Sequence, residues 1–265
     1  MAEPQRWLPL ESNPDSFNRW SASLGLETSP EHGGYTFQDC FGLDPDCLSW
    51  VKQPVKAVLM LFPVTDAYEK MRKDQDAQVE EDGVEGVEDV IYFKQTSQFL
   101  AATLSLPRSL YAACPRRCPD PRVQPAVANA CGTFALLHTL ANADVPLKEG
   151  PLTELFARCK DKTPLERAQL LSASDELASV HEETAQTGQT ATPALEDEVD
   201  LHFVTFVDHN GYLIELDGRR NSPINHGKIE KGLLEDTVEV VKRIIELTQS
   251  IQFNLVTLSP ATEDD

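Results

Sequence analysis

Asn129-Ala130-Cys131-Gly132-Thr133 puts a thiol at the start of an apolar helical run. His202, in Asp200-Leu201-His202-Phe203, comes 71 residues after Cys131, and Asp217, in Glu215-Leu216-Asp217-Gly218, comes 15 residues after His202. A thiol, an imidazole and a carboxylate in this order are the parts of a cysteine hydrolase. The thiolate attacks, the imidazole moves protons, and the carboxylate orients the ring. With Asn129 as a helix cap, Cys131 falls in the first turn, where the helix dipole favours a thiolate. Such placement can bring a thiol pKa from about 8.5 to roughly 3.5–7.5. From position alone, a small buried core residue is the commoner reading.

The hairpin that must carry the other two groups gives an independent geometric reason to join them. Asn210-Gly211 is a strong two-residue hairpin signal. With these as the turn, His209 faces Tyr212, Asp217 falls opposite Val204, and His202 lies diagonal to Asp217 on the same face. With His209-Asn210 as the turn, His202 faces Asp217 directly. A three-residue turn would separate them to opposite faces. His202 also interrupts an apolar run (Leu201, Phe203, Val204, Phe206), where an imidazole needs a partner such as an Asp on its own face. A hydrogen-bonded core pair without catalysis is the plainer alternative. His138, His181, His209 and His226 read as structural or solvated: His138 lies two turns along the cysteine's helix, His181 heads an acidic loop, His209 sits in a turn and His226 in a loop.

Further elements follow from caps and periods. Asn13-Pro14 reads as a cap with proline at the first helical position, Phe17, Trp20 and Leu24 form a stripe, and Gly25 ends the helix. Residues 55–62 read as a buried strand, 66–78 as a charged helix and 79–89 as an acidic loop. Ile91-Tyr92-Phe93 starts another strand. Residues 131–142 form an amphipathic helix and 164–179 a further one. Residues 181–198 read as a long loop. Leu234, Val238, Val241 and Ile245 mark a helix, and residues 251–258 alternate as a last strand. Interleaved helices and strands predict an α/β or α+β class. Residues 97–126 differ in character: four arginines and five prolines occur in a stretch almost free of acid. They read as an insertion.

Composition sets outer bounds. The chain has 265 residues, 41% apolar and 25% charged, as in one globular domain. A net charge of -20 argues against nucleic acid and permits a partner with a basic face. Met1 to Gln5 show no basic region followed by an apolar one, so secretion is not expected, and the longest apolar run is too short for a membrane span. Six cysteines (Cys40, Cys47, Cys114, Cys118, Cys131, Cys159) fit a reduced compartment better than a disulfide scaffold. A cytoplasmic location is expected, with the nucleus as a further possibility, and a monomer is the default.

At these residues the chain resembles the ubiquitin carboxyl-terminal hydrolase family of cysteine peptidases, of the small type. The resemblance runs almost end to end. It includes Gln5 to Glu11, Ala57 to Val64, Ile91 to Thr96, Asn129 to Thr133, His181-Glu182 with Gly188-Gln189-Thr190, and Asp200 to Phe203. It continues through Glu215 to Arg219, Pro223 to Gly227 and Phe253-Asn254. It implies a papain-like fold, a central antiparallel sheet flanked by helices, with a knotted backbone path. It implies Cys131 as nucleophile, His202 as general base and acid, Asp217 as the residue that orients the imidazole, and a glutamine as oxyanion donor. Residues 181–198 match a crossover loop that restricts the leaving group to short or unfolded adducts on the ubiquitin C-terminus. Ubiquitin contacts are implied at Pro9, Leu10, Glu11, Ser12, Asn13 and Pro14, at Ala185, Gly188, Gln189 and Thr190, at Leu201, and at Phe253, Asn254 and Leu255. No metal or cofactor is implied.

One part departs from the pattern. The family's oxyanion glutamine stands six residues before the cysteine, where this chain has Pro125. Gln124 is one residue off. Gln95, in Tyr92-Phe93-Lys94-Gln95-Thr96, fits better, although it lies 36 residues before Cys131. Deleting residues 97–126 restores the six-residue spacing. That block therefore reads as a retained in-frame intron or a gene-model error, and otherwise as a surface loop. Three functions follow: a deubiquitinating thiol hydrolase, a ubiquitin-binding protein whose oxyanion site is disrupted by the insertion, or an acidic scaffold.

Overall fold

The computed structural model describes residues 9–95, 130–187 and 201–263. Six strands form one sheet in the order β1-β6-β2-β3-β4-β5: β1 (Tyr35–Asp39), β2 (Ala57–Pro63), β3 (Leu201–His209), β4 (Tyr212–Leu216), β5 (Ile224–Lys228) and β6 (Asn254–Pro260). Every neighbouring pair is antiparallel. Among the described residues eight α-helices surround it: α1 (Pro14–Leu24), α2 (Pro45–Ser49), α3 (Asp66–Asp82), α4 (Cys131–Asn142), α5 (Pro151–Cys159), α6 (Pro164–Ser172), α7 (Asp175–Gln186) and α8 (Leu233–Thr248). A central antiparallel sheet flanked by helices is the expected fold class. Residues 96–129 and 188–200 lie outside the described residues, so the expected knot is not traced, and the insertion at 97–126 falls among them.

Both faces of the sheet are dry. Ala57, Leu59, Phe203, Val207 and Leu216 pack on one side with Phe134 and Leu137 of α4 and Phe17 and Trp20 of α1. Val58, Met60, Val204, Phe206 and Leu213 pack on the other with Val238 and Val241 of α8. This is why β2 and β3 read as continuous apolar runs, as strands covered on both faces do. The last strand, expected to alternate, is buried from Leu255 through Ser259, and it begins at Asn254 rather than Ile251. The buried hydroxyls of Thr257 and Ser259 are tolerated because Thr257 donates to the Gln38 carbonyl at 3.3 Å and Ser259 donates to Thr257 at 3.2 Å.

Local rules account for several boundaries. Asn13 accepts from the Asp15 N–H at 2.8 Å, Pro14 opens α1, and Phe17, Trp20 and Leu24 are buried. The β3–β4 turn is Asn210-Gly211, both at positive φ (54° and 82°), and His209 pairs with Tyr212. These are the backbone angles a primed two-residue turn requires, which asparagine and glycine adopt most readily.

Other expectations are corrected. Helix α4 is not amphipathic: Gly132 through Leu140 are all buried, since the helix runs between the sheet and α5–α7 side chains rather than over the surface. Residues 164–179 form two helices, α6 and α7, and Ser174 caps the second by accepting from the Leu177 N–H. Helix α7 continues through Gln186, so His181 is a buried helical residue instead of the head of a loop. Helix α3 extends to Asp82, shortening the acidic loop. His226 lies in β5 rather than a loop. Ile91-Tyr92-Phe93 is not a strand. Its backbone groups bond to side chains of α4: Asn142 brackets the N–H and C=O of Ile91 at 2.8 and 2.9 Å, and His138 Nε2 lies 3.0 Å from the Phe93 amide and carbonyl.

Phe206, fully buried between the sheet and α8, measures the second core. Phe206→Ala is expected to destabilise the protein by about 3–5 kcal/mol, read from the shift in urea midpoint at unchanged m-value.

Candidate active site

The candidate site forms where the start of α4 meets the N-terminal end of β3. Cys131 is the first residue of α4 and is partly exposed. The cap position is Ala130, with no side-chain cap; Asn129, expected in that role, lies outside the described residues. The close approach of α4 depends on Gly132. A β-carbon there would stand 3.1 Å from Leu10 Cβ and 3.4 Å from the Phe203 ring.

His202 is the second residue of β3 and only 4% exposed; Asp217 follows the end of β4 and is fully buried. Strand pairing ends at Thr205–Leu216, so the two residues project beyond the paired part of the hairpin. His202 Nε2 lies 2.7 Å from Asp217 Oδ1. The Asn210-Gly211 register therefore delivers the diagonal arrangement. The same Oδ1 accepts from the Arg219 N–H at 2.8 Å. With Nε2 engaged by Asp217, Nδ1 is the ring nitrogen left for the Cys131 thiol.

Burial alone would favour the neutral forms of all three groups, yet each shifts the other way. Desolvation pushes the Cys131 thiol up. The hydrogen bond and charge of His202, with the N–H groups of Phe203 and Gly132, outweigh it and hold the pKa below its ordinary value. Burial likewise works against the His202 imidazolium, but the charge and hydrogen bond of Asp217 and the Cys131 thiolate raise it to about 9. Burial opposes ionisation of Asp217; the His202 charge and hydrogen bond, the Arg219 N–H and the Arg220 charge hold it far below the usual carboxylate range. Each shift thus favours the charged form, a thiolate, an imidazolium and a carboxylate, at one place in the fold.

Gln95 donates its backbone N–H to the Gly218 carbonyl at 2.8 Å. Gln95 Cβ and the ring of Phe134, three residues after Cys131, each come within 3.4 Å of where a β-carbon on Gly218 would stand. Gln95 thus adjoins both the carboxylate loop and the first turn of α4, despite its distance along the chain. Gln124 and Pro125 lie outside the described residues.

The other candidate residues divide by burial. Ser12 donates to Asn254 Oδ1 at 2.6 Å, joining the first and last expected contact segments. Leu201 is 38% exposed, and Pro9, Glu11, Phe253 and Asn254 are partly exposed. Asn13 and Pro14 form the start of α1. Leu10, Ala185 and Leu255 are buried. Gly188, Gln189 and Thr190 lie outside the described residues. Of the remaining histidines, His138 is buried between Tyr92 and Phe93, and desolvation lowers its pKa to about 4, keeping it neutral. His181 Nδ1 lies 2.7 Å from Thr133 Oγ1.

Sequence reasoning missed the polar support around Asp217. Glu215, two residues before it and on the same face of β4, lies 2.8 Å from His226. The period of two was the available signal. The Tyr92 hydroxyl lies 2.5 and 2.7 Å from the carbonyls of Asp217 and Arg220.

The model of the family "Ubiquitin carboxyl-terminal hydrolase, family 1" matches residues 7–116 and 123–246. The chain belongs to this family of cysteine peptidases. The interruption between the two matched stretches falls inside the block at 97–126. The chain is similar to ubiquitin carboxyl-terminal hydrolase 3 of Arabidopsis thaliana, 36% identical over 264 residues that cover 97% of this chain and 96% of the relative. It is similar to the Aplysia californica ubiquitin carboxyl-terminal hydrolase, 34% identical, covering 92% and 97%. Among solved structures, it matches the UCH37 catalytic domain of Trichinella spiralis with a TM-score of 0.68 at 21% identity, covering 98% of both chains. At that identity the match shows the fold.

A thiolate paired with His202 predicts a pH-dependent reactivity that needs no substrate. The rate of Cys131 alkylation by iodoacetamide is expected to rise through a midpoint below the ordinary thiol value of about 8.5. His202→Ala should move that midpoint up, because the cation and hydrogen bond that stabilise the thiolate are gone. Cys40 and Cys159 are buried with thiols pushed up by desolvation, and Cys47 is pushed up by its hydrogen bond to Asp44, so peptide-resolved mass spectrometry separates the Cys131 signal.

Proposed function

We propose that this chain hydrolyses the bond between the ubiquitin C-terminus and a short or unfolded adduct, using Cys131, His202, Asp217 and Gln95. The observation that carries the reading is the buried His202 Nε2–Asp217 Oδ1 bond at 2.7 Å, with the Cys131 thiol close enough to the same ring for His202 to lower its pKa. The Cys131 thiolate attacks the C-terminal carbonyl carbon. The His202 imidazolium then protonates the leaving group, and a thioester remains on Cys131. Neutral His202 next removes a proton from water, whose oxygen attacks the thioester and releases Cys131 as thiolate. Asp217 keeps the ring oriented through both steps. The Gln95 side-chain amide would donate to the oxyanion in each tetrahedral intermediate.

Names of the relatives support ubiquitin as the substrate. The Trichinella domain that shares the fold is bound to ubiquitin vinyl methyl ester. The preference for short or unfolded adducts follows the match of residues 181–198 to a crossover loop. Anchoring of Gln95 on the Gly218 carbonyl favours turnover over ubiquitin binding without catalysis.

Turnover of a fluorogenic ubiquitin C-terminal amide tests the reading. Cys131→Ala is expected to abolish it, and Gln95→Ala to lower kcat by about 10²–10³-fold. Residual turnover in Cys131→Ala would remove the thiol mechanism. Ubiquitin binding by the wild-type chain without turnover would establish the binding-only alternative. Peptide mass mapping of the native protein decides separately whether residues 97–126 are part of it.

A further inference from the structure

Arg220 has no exposed surface, yet it carries a charge into the region behind the triad. Its guanidinium is shared among three elements. Nη1 donates to Asp76 Oδ1 and Nη2 to Gln75 Oε1, both of α3 and both at 2.8 Å. Nε stands 3.3 Å from Glu215 Oε1 of β4 and 4.0 Å from Asp217 Oδ2. Arg219 adds a second tie, donating to Glu69 of α3 at 2.7 Å, and Arg72 in turn bonds to Glu69 and Asp76. The backbone of Arg220 closes the turn that begins at Asp217: its N–H donates to the Asp217 carbonyl at 2.9 Å, and the Tyr92 hydroxyl bridges the carbonyls of both residues.

We propose that Arg220 is a positioning residue for the catalytic carboxylate: by fastening the Asp217–Arg220 turn to α3 and lying between Glu215 and Asp217, it keeps Asp217 Oδ1 aimed at His202. This rests on the assignment of Cys131, His202 and Asp217 as the triad. Arg219 holds Oδ1 through its main chain and reaches Glu69 from a partly exposed side chain, whereas Arg220 makes the fully buried attachment of the turn to α3. Without its cation, two buried carboxylates face each other across the base of the site. The remaining nearby cation behind Glu215 is His226 when protonated. Tyr68 of α3 and Tyr92 are buried there as neutral phenols, their pKa values pushed well up by burial. His138, which also senses Asp217, is neutral.

The sign at Cys131 is the same by either route. Losing a nearby cation makes the site more negative, and a loosened Asp217 holds His202 less well against the thiolate. Both raise the thiol pKa. Arg220→Met is therefore expected to lower kcat on the order of 10–100-fold with KM within about twofold. It should also move the acid limb of both kcat/KM and Cys131 alkylation upward by about half a pH unit or more. A purely structural role would not move that limb in a variant that unfolds cooperatively. A folded Arg220→Met with kcat within about twofold and an unmoved acid limb would overturn the inference. Where Arg220→Met does not fold, Gln75→Leu decides, since it removes one anchor without changing charge: reduced kcat at constant KM supports the role, and wild-type kinetics overturns it. Failure of the triad assignment is distinguishable, because it would show as turnover retained in Cys131→Ala.

Discussion

A carboxylate with no solvent contact must stay ionised for the rest of the site to hold its charges. Asp217 is fully buried, and a buried anion costs several kcal/mol unless charges and hydrogen bonds repay it. Its partners are His202 on Oδ1, the Arg219 N–H on the same oxygen, and the Arg220 guanidinium toward Oδ2. Once Asp217 is an anion, His202 keeps a proton to about 9, and once His202 is a cation, Cys131 ionises below its ordinary range despite desolvation. Each charge is stabilised by the next, so the series behaves as a coupled unit more than as three independent groups.

That requirement explains a helix that packing alone does not. Among the described side chains of α3 only Tyr68 is buried, against Phe62, so an apolar face does not hold this 17-residue helix in place. Glu69, Arg72 and Asp76 recur at helical spacing along one side, and Arg219 and Arg220 meet that side. Exposed pairs of this kind contribute little, but Arg220 is buried, and removing one partner of a buried pair is far costlier than the pair is stabilising. The polar stripe on α3 and the two arginines after Asp217 are thus one feature, divided in the chain by more than 140 residues.

The residues of the candidate triad were legible because their positions follow from short-range rules. Asn210-Gly211 fixes the hairpin turn, the turn fixes the register, and the register brings His202 and Asp217 together. The α1 boundaries were legible for the same reason, from Asn13, Pro14 and Gly25. What failed depended on distant partners. Ile91-Tyr92-Phe93 has strand composition, but its hydrogen bonds go to Asn142 and His138, which no local pattern reveals. Nothing in the short stretch after Gly218 marks Arg220 as interior; α3, through Gln75 and Asp76, and Glu215 of β4 enclose it. The division of α6 from α7 was marked locally by Ser174 before two acids, a cap signal that the longer helical pattern obscured.

Separation along the chain and separation in space are different constraints at Gln95. Among the described residues, its segment is held by contacts with other elements. Asn142 and His138, on the same helix that begins with Cys131, hold Ile91 and Phe93, and Gly218 holds Gln95 itself. Arg167 of α6 donates to the carbonyls of Val90 and Tyr92 as well. With residues 90–95 fixed to α4, α6 and the carboxylate loop, lengthening the connection to Ala130 adds a closure cost that grows only with the logarithm of its length. The six-residue spacing of the family is therefore one way to bring a glutamine to the thiol. The anchors in this chain supply the placement of its backbone by another route, through side chains of the helix that begins with Cys131.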